Sequence, residues 1–446
     1  MASPNDRREI FAWAMYDWAN SAFQTTVVTV LTGPYLTALA QQAVGENGVV
    51  LRLGPLGVVT AKSLFPYCVS LSVLLQVFLL PVLGAIADYA NIKKILMAAF
   101  CYIGVAATCL LFFVTEGLYL AGGVLFIVAN LSFGASLVLY NAFLNDITTP
   151  DRRDQVSSRG YAFGYLGGGV LLALNLAAMM HGDAIGLSRA LAVRLSLLSA
   201  GLWWGGFAAI TFAGIRSRPA PQRVLTRRSP VGTAVAQLGL TIRELRRLPQ
   251  TLRYLVAYML YNDGIQTVIS IASVFLAQEL FVSRGMPADE SFLIGLVLMI
   301  QFVAFFGALL FDRIARRVRA KNAILISLVL WTGVVLYAYR FLQTTEQAWA
   351  MGAVIAIVMG GSQALSRSLF SQMIPAGREA SFFGLYEISE RGTSWIGPLI
   401  FGIVAGATNS YRQAILSLIV LFLAGMVLLF VTDSDQAIRD SRRQPA

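Results

Sequence analysis

The sequence predicts an all-α integral membrane protein with twelve membrane-crossing helices in two six-helix halves. Three observations carry this. The 446 residues are 57% hydrophobic and only 13% charged, with a mean hydropathy of +0.69, whereas soluble domains carry about 25% charged residues. The apolar residues gather into twelve runs, each long enough to cross the hydrocarbon core, which takes about 20 residues. Finally, one short charged turn between apolar runs occurs twice, 224 residues apart, about half the chain.

The first copy of that turn is Gly84-Ala-Ile-Ala-Asp-Tyr-Ala-Asn-Ile-Lys-Lys94. A turn this short makes the helices on either side antiparallel neighbours. Gly84, Ala85 and Ala87 let a partner helix come close. Asp88 can cap, and charge-match, the N-terminus of an adjacent helix, while Lys93 and Lys94 hold the turn on the basic, cytoplasmic side. The second copy, Ala308-Leu-Leu-Phe-Asp-Arg-Ile-Ala-Arg-Arg317, places Asp312 ahead of Arg313, Arg316 and Arg317.

Taken in order, the predicted spans are 12–40, 63–87, 94–115, 118–145, 158–180, 190–215, 251–280, 291–311, 322–341, 347–373, 380–407 and 410–432. Residues 1–215 then form the first half and 251–446 the second half with a short tail. The Arg-, Pro- and Ser-rich segment 216–250 links them, turning amphipathic at Val231 to Leu248, as an interfacial helix would. Gly160 and Gly384, and Gly168 and Gly392, share the 224-residue offset. The stretches Asn20-Ser-Ala-Phe-Gln-Thr25 and Asn262-Asp-Gly-Ile-Gln-Thr267 align at 242, the difference being a longer first external loop. Such common offsets are expected of a parallel repeat.

With the N-terminus inside, 26 of the 34 Lys and Arg residues fall in cytoplasmic loops and tails and 7 outside, with Arg391 in a span. That asymmetry orients the chain with both termini cytoplasmic. Met1 to Ile10 is polar and the first apolar run is long enough to span, so a cleavable leader is not expected.

Cys68, Cys101 and Cys109 all lie in apolar runs and His181 is the sole histidine; neither a disulfide framework, a metal cluster nor a histidine relay is expected, and no cofactor. There is no Gly-x-x-x-x-Gly-Lys-Ser/Thr phosphate loop, so transport would draw on a gradient. The net charge of +11 is spread over the loops of one side, a pattern for a lipid bilayer and not for nucleic acid. No set of nucleophile and base indicates an enzyme.

An ionisable group inside a span costs about 2.5–3.5 kcal/mol on insertion scales, so it should face a cavity or a partner. Candidates in the first span are Asp17, Asn20 and Gln24; in the seventh, Asn262, Asp263 and Gln266; in the eleventh, Glu387, Glu390 and Arg391, followed by Trp395. Asp263 lies about 16 Å into its span, near the midplane, and Arg391 is at similar depth. Glu387 and Arg391 share a helix face and can pair, either as a structural ion pair or as a site in which Arg391 holds a substrate carboxylate while an acid holds a cation or proton. A carboxylate taken out of water holds its proton more readily, which suits proton coupling, but the residues single out no one acid. The i, i+4 pairs Asn20/Gln24 and Asn262/Gln266 fit cavity lining and helix-to-helix hydrogen bonding equally well.

The paired turns resemble the loop 2–3 motif of the major facilitator superfamily, Gly-x-x-x-Asp-Arg-x-Gly-Arg-Arg. The first copy departs from it at Tyr89 and Asn91, the second at Ala308. Further stretches narrow the branch: Trp13-Ala-Met-Tyr-Asp-Trp-Ala-Asn-Ser-Ala-Phe23, Asn141-Ala-Phe-Leu144, Ser157-Ser-Arg-Gly-Tyr-Ala-Phe-Gly-Tyr-Leu-Gly-Gly168, Gly360-Gly-Ser-Gln-Ala-Leu-Ser-Arg-Ser368 and Phe382-Phe-Gly-Leu-Tyr-Glu387. They resemble the signatures of the family that includes the autophagy-related vacuolar amino-acid effluxer. The resemblance implies a major facilitator fold and alternating access between the halves. For fungal members it implies amino-acid efflux; for bacterial ones the substrate does not carry over. The absence of long inserted loops looks bacterial and implies the plasma membrane.

The expectation is therefore a gradient-driven, monomeric transporter that exports amino acids or similar small polar solutes. Gly84, Asp88, Lys93, Lys94, Asp312, Arg313, Arg316 and Arg367 would serve closure on the cytoplasmic side. An exporter of drugs or other metabolites, and a membrane receptor or scaffold that binds without translocating, are the alternatives.

Overall fold

The computed structural model describes residues 4–45, 48–52, 58–90, 92–181, 186–217, 239–287, 289–391, 396–408 and 410–443. Among them, ten helices are long and apolar enough to cross a membrane. Two further crossings are built from shorter described helices; in the first of them the ordinary ladder is disturbed where polar residues enter the span.

The first crossing begins with α1 (Arg7–Ala22), capped by Asp6, whose carboxylate accepts from Arg8 N at 2.9 Å. It widens into a π-helical stretch, Phe23–Leu31, and resumes as α2 (Thr32–Val44). Extended π geometry is rare and marks sites where the ordinary ladder is disturbed. Here Thr29 Oγ1 donates to the carbonyl of Gln24, five residues back, at 2.9 Å. The first external loop holds a short antiparallel hairpin, β1 (Val49–Arg52) with β2 (Val58–Thr60), which the apolar pattern does not announce. The first half continues with α3 (Leu64–Ala90), α4 (Lys93–Leu110), α5 (Tyr119–Ile147), α6 (Arg153–Met180) and α7 (Arg189–Gly214).

The second half comprises α8 (Pro249–Leu280), α9 (Glu290–Val318), α10 (Ala320–Arg340) and α11 (Thr345–Gln372). Its next crossing, the expected span 380–407, carries α12 (Glu379–Arg391) and α13 (Ile396–Thr408) on either side of residues 392–395, which lie outside the described set. The last crossing is α14 (Tyr411–Ser417) and α15 (Ile419–Val431), and α16 (Ser434–Arg443) ends the chain. Local chemistry explains several starts. Asp289 caps α9 through Phe292 N at 3.0 Å, and Thr344 and Gln347 form a reciprocal capping box on α11.

Both termini lie at one end of the bundle. Asn5 donates to the Ile147 carbonyl and to Thr149 Oγ1, and Ser441 in α16 reaches the Gln372 carbonyl. We call this end the terminal face. Across the halves, α3 packs on α12 and α6 on α9, with α5 and α6 also touching α12 and α11 respectively. Aromatic side chains fill the interior: Trp13, Tyr140, Trp204, Tyr258, Trp331 and Tyr386 are all buried. Phe78, Ile95, Leu202, Phe306, Ile403 and Val427, in contrast, point outward, each at least 60% exposed. An outer ring of large apolar residues over a polar-spotted core is the reverse of a soluble protein and suits hydrocarbon as the surrounding solvent.

Of the linker, residues 239–246 are helical; 218–238 lie outside the described residues. Thr241, Leu245 and Leu248 are buried, while Arg243, Arg246 and Arg247 are exposed. Arg378, in the turn between α11 and α12, donates to Thr241 Oγ1 at 2.6 Å and to Glu244 at 3.3 Å. The linker thus docks on the terminal face of the second half.

A buried polar layer across the two halves as the candidate functional site

The α3 end meets α12 at the terminal face. Both oxygens of Asp88 accept backbone hydrogens at the start of α12: Ala380 N at 2.9 Å and Ser381 N at 2.7 Å, with Ser381 Oγ at 2.6 Å. A carboxylate here caps free N–H groups and matches the positive end of the helix. A Cβ at Gly84 would sit 2.2 Å from the Ala380 carbonyl oxygen, so the approach requires glycine. Lys93 pairs with Asp146 at 2.9 Å, and Lys94 donates to the Ile215 carbonyl at 2.7 Å, both within the first half. The second turn behaves differently. Asp312 pairs with Arg316 of its own helix at 2.7 Å, and Arg313 is exposed.

Deeper, Arg367 of α11 reaches into the first half, and its five N–H groups make five hydrogen bonds there. Nε donates to Ser157 Oγ at 2.9 Å. Nη1 donates to Asp17 Oδ2 at 3.4 Å and Asn141 Oδ1 at 3.3 Å; Nη2 donates to Asp17 Oδ2 at 3.3 Å and the Ser157 carbonyl at 2.9 Å. Asp17 also accepts from Tyr140 Oη at 2.7 Å. The guanidinium carbon lies 4.3 Å from the Tyr161 ring centre, 4.9 Å from Trp13 and 5.6 Å from Tyr140. Trp13 and Tyr140 stack at 4.5 Å, and Trp13 Nε1 donates to the Tyr140 carbonyl at 3.0 Å, which fixes the box. Gly160 makes room for the pair, since a Cβ there would come 2.4 Å from Asp17 Oδ2. The side chains of Arg367 and Asp17 are 3% and 10% exposed, so removing either leaves a buried charge without its partner, at about 3–5 kcal/mol.

Neighbouring bonds extend this layer. Asn141 Nδ2 donates to Glu387 Oε1 at 2.8 Å, Ser157 Oγ to the Ala364 carbonyl at 2.7 Å, and Arg153 Nη1 to the Ser371 carbonyl at 2.8 Å. Asp154 accepts from Ser368 Oγ, and Tyr165 Oη meets Gln363 Oε1. Helices α1, α5, α6, α11 and α12 therefore meet in one polar seam.

The seventh-span candidates sit apart from it. Asp263 Oδ2 accepts from Gly397 N at 2.7 Å, capping α13, and its Oδ1 has no hydrogen-bonding partner among the described residues. Asn262 Nδ2 donates to the Glu390 carbonyl at 3.3 Å, while its Oδ1 and the Nδ2 of Asn20 are buried with no hydrogen-bonding partner among the described residues. Gln24 is exposed and Gln266 half-buried. Glu390, on α12, is half-buried. The Arg391 side chain and Trp395 lie outside the described residues, so the Glu387–Arg391 pair is not visible; Glu387 turns to Asn141.

Sequence reasoning assigns Asp17 and Arg367 different roles, gives Trp13, Ser157 and Tyr161 no role beyond the signature stretches that contain them, and does not single out Tyr140. Gly160 was the available signal: a glycine sharing the half-chain offset marks a close approach.

The Vacuole effluxer Atg22 like family model matches residues 5–151 and 145–442. A Bacillus subtilis (strain 168) protein named as an uncharacterized MFS-type transporter, YxiO, is 30% identical over 439 residues, covering 97% of this chain and 96% of that one. Autophagy-related protein 22-1 of Aspergillus niger is 27% identical, covering 98% of this chain and 90% of the relative. Among solved structures, the human organic anion transporter MFSD10 superimposes with a TM-score of 0.69 at 15% identity, covering 96% of this chain and all of that one. FucP, in the outward conformation, gives 0.68 at 11%, covering 96% and 98%. The chain is a multi-pass membrane protein of the major facilitator fold, and it belongs to the Atg22-like family of that superfamily.

Proposed function

We propose that the protein is a gradient-driven transporter working by alternating access, which exports amino acids or similar small polar solutes. The observation that carries this reading is Arg367: a buried cation on one half whose hydrogen bonds and ring contacts, among the described residues, all lie on the other. A scaffold has no need of such a seam, because a buried ion pair is weak support for stability compared with apolar packing. In a transporter it is a reversible lock, broken as the halves part on the terminal face.

Residues 1–215 and 251–446 act as the two moving bodies, and 216–250 tethers them. Orientation by Lys and Arg content makes the terminal face cytoplasmic, and the bacterial pattern of short loops favours the plasma membrane, so the closed seam corresponds to an outward-facing state. Substrate binds between the halves on the far side of the seam, lined by Asn20, Gln24, Asn262, Asp263, Gln266 and Glu390, with Arg391 receiving a carboxylate and Trp395 assigned to the same set. Asp17 belongs to the same binding set, and Asp263, Glu387 or Glu390 supplies the carboxyl group through which a proton gradient drives export. Lys93, Lys94, Arg313 and Arg316 serve the gate around Asp88 and Asp312. The protein works as a monomer and needs no cofactor.

Counterflow of a panel of labelled amino acids in proteoliposomes tests this. The wild type exchanges at least one of them, and Arg391→Ala reduces that exchange more than tenfold. No exchange of any amino acid would overturn the substrate assignment. Full exchange by Arg391→Ala would overturn the placement of the carboxylate.

A further inference from the structure

We propose that the first-half pocket of Asp17, Ser157 and the faces of Trp13, Tyr140 and Tyr161 is a cation-binding site. Arg367 fills it in the closed state as a tethered ligand, and its exchangeable occupant is the ammonium or guanidinium group of the transported solute. This rests on the transport reading above and adds a substrate class to it.

The pocket is built for a cation irrespective of Arg367. Asp17 Oδ2 is pinned by Tyr140 Oη at 2.7 Å. The Ser157 carbonyl and Oγ add two acceptors, with Ser157 fully buried. Three ring centres lie within 6 Å of the bound charge, the range over which aromatic faces attract cations. The walls are held by bonds internal to the first half, Trp13 Nε1 to the Tyr140 carbonyl and the Trp13–Tyr140 stack. Every wall residue belongs to that half, so the box survives when Arg367 withdraws with the second half.

Withdrawal leaves Asp17 facing the newly opened cavity without its countercharge. A solute cation entering there makes the same charge-assisted bonds. A ligand that binds only the open state shifts the equilibrium toward it. Competition between solute and Arg367 for one carboxylate therefore links occupancy to opening: the empty carrier closes on its own arginine, and a bound solute holds the terminal face open until Arg367 re-enters and displaces it toward the far side of the seam.

Guanidinium and urea, equal in shape and different in charge, are the probes. The purified Arg367→Ala variant is predicted to gain thermal stability, saturably, with millimolar guanidinium and not with urea, and Asp17→Asn in the same chain abolishes the gain. An equal response to urea, or a response retained without Asp17, would overturn the site. Should Arg367→Ala not fold, the wild type decides. Methylguanidinium should increase the population open at the terminal face, read as spin-label distance between exposed Arg152 and Ala376 after each is changed to cysteine. Methylurea should not. No shift with methylguanidinium would overturn the proposal. None of these readouts depends on transport, so failed counterflow with a guanidinium response would reject the substrate reading and leave the cation site standing.

Discussion

The two charged turns share a pattern and differ in what their carboxylates hold. Asp88 leaves its own half and caps α12 through three hydrogen bonds, buried to 6% exposure. Asp312 turns back on Arg316, whose side chain is 55% exposed. The helices they face explain the difference. The start of α12 presents two free backbone N–H groups and the Ser381 hydroxyl. The start of α6 carries its own acid, Asp154, already engaged by Ser368 and Gln372 and within electrostatic reach of Asp312, so a second carboxylate is repelled. Glycine makes the same distinction: Gly84 meets backbone at 2.2 Å, while Ala308, its counterpart, already carries a methyl group and is fully buried. A repeat in sequence thus specifies the local turn, and the partner helix decides whether the turn becomes a bond between halves.

The largest effect that should break this asymmetry is at the glycine. Gly84→Val forces backbone apart at the α3–α12 crossing and is expected to cost about 3 kcal/mol of closed-state stability. Ala308→Gly should cost only about 0.5–1 kcal/mol, through chain entropy. Thermal midpoints of the two variants in one detergent check the ordering. Next, Asp88→Ala removes the cap and strands buried donors, about 2 kcal/mol, which should raise the population open at the terminal face more than tenfold in spin-label distances. Smallest is Asp312→Ala, the loss of a part-exposed i, i+4 pair worth about 0.3–0.5 kcal/mol. Its distance distribution should match the wild type, and a shift as large as that of Asp88→Ala would erase the contrast.

How much of this was legible in the sequence follows from the range of each interaction. The Asp88 turn and the spacing of the apolar runs are local, and they placed α3, α4 and the close approach at Gly84 correctly. Doubling of the turn revealed the two halves but not their asymmetry, because Asp154 lies far from Asp312 in sequence. The Asp17–Arg367 pair spans 350 residues, beyond any periodicity, and the aromatic side chains of its box read as ordinary core. Hydropathy averages over a local change of helix type, so the π-helical stretch at Phe23–Leu31 was hidden in a continuous apolar run. The β1–β2 hairpin is likewise too short for alternation to register.

The claim on which the rest depends is that closure of the terminal face is held by the polar seam centred on Arg367. The distance between spin labels at positions 152 and 376, compared in the wild type and in Arg367→Met, measures this directly. A short distance that dominates in the wild type and gives way to a longer one in Arg367→Met is the predicted result. An unchanged short distance in a folded Arg367→Met variant would contradict it.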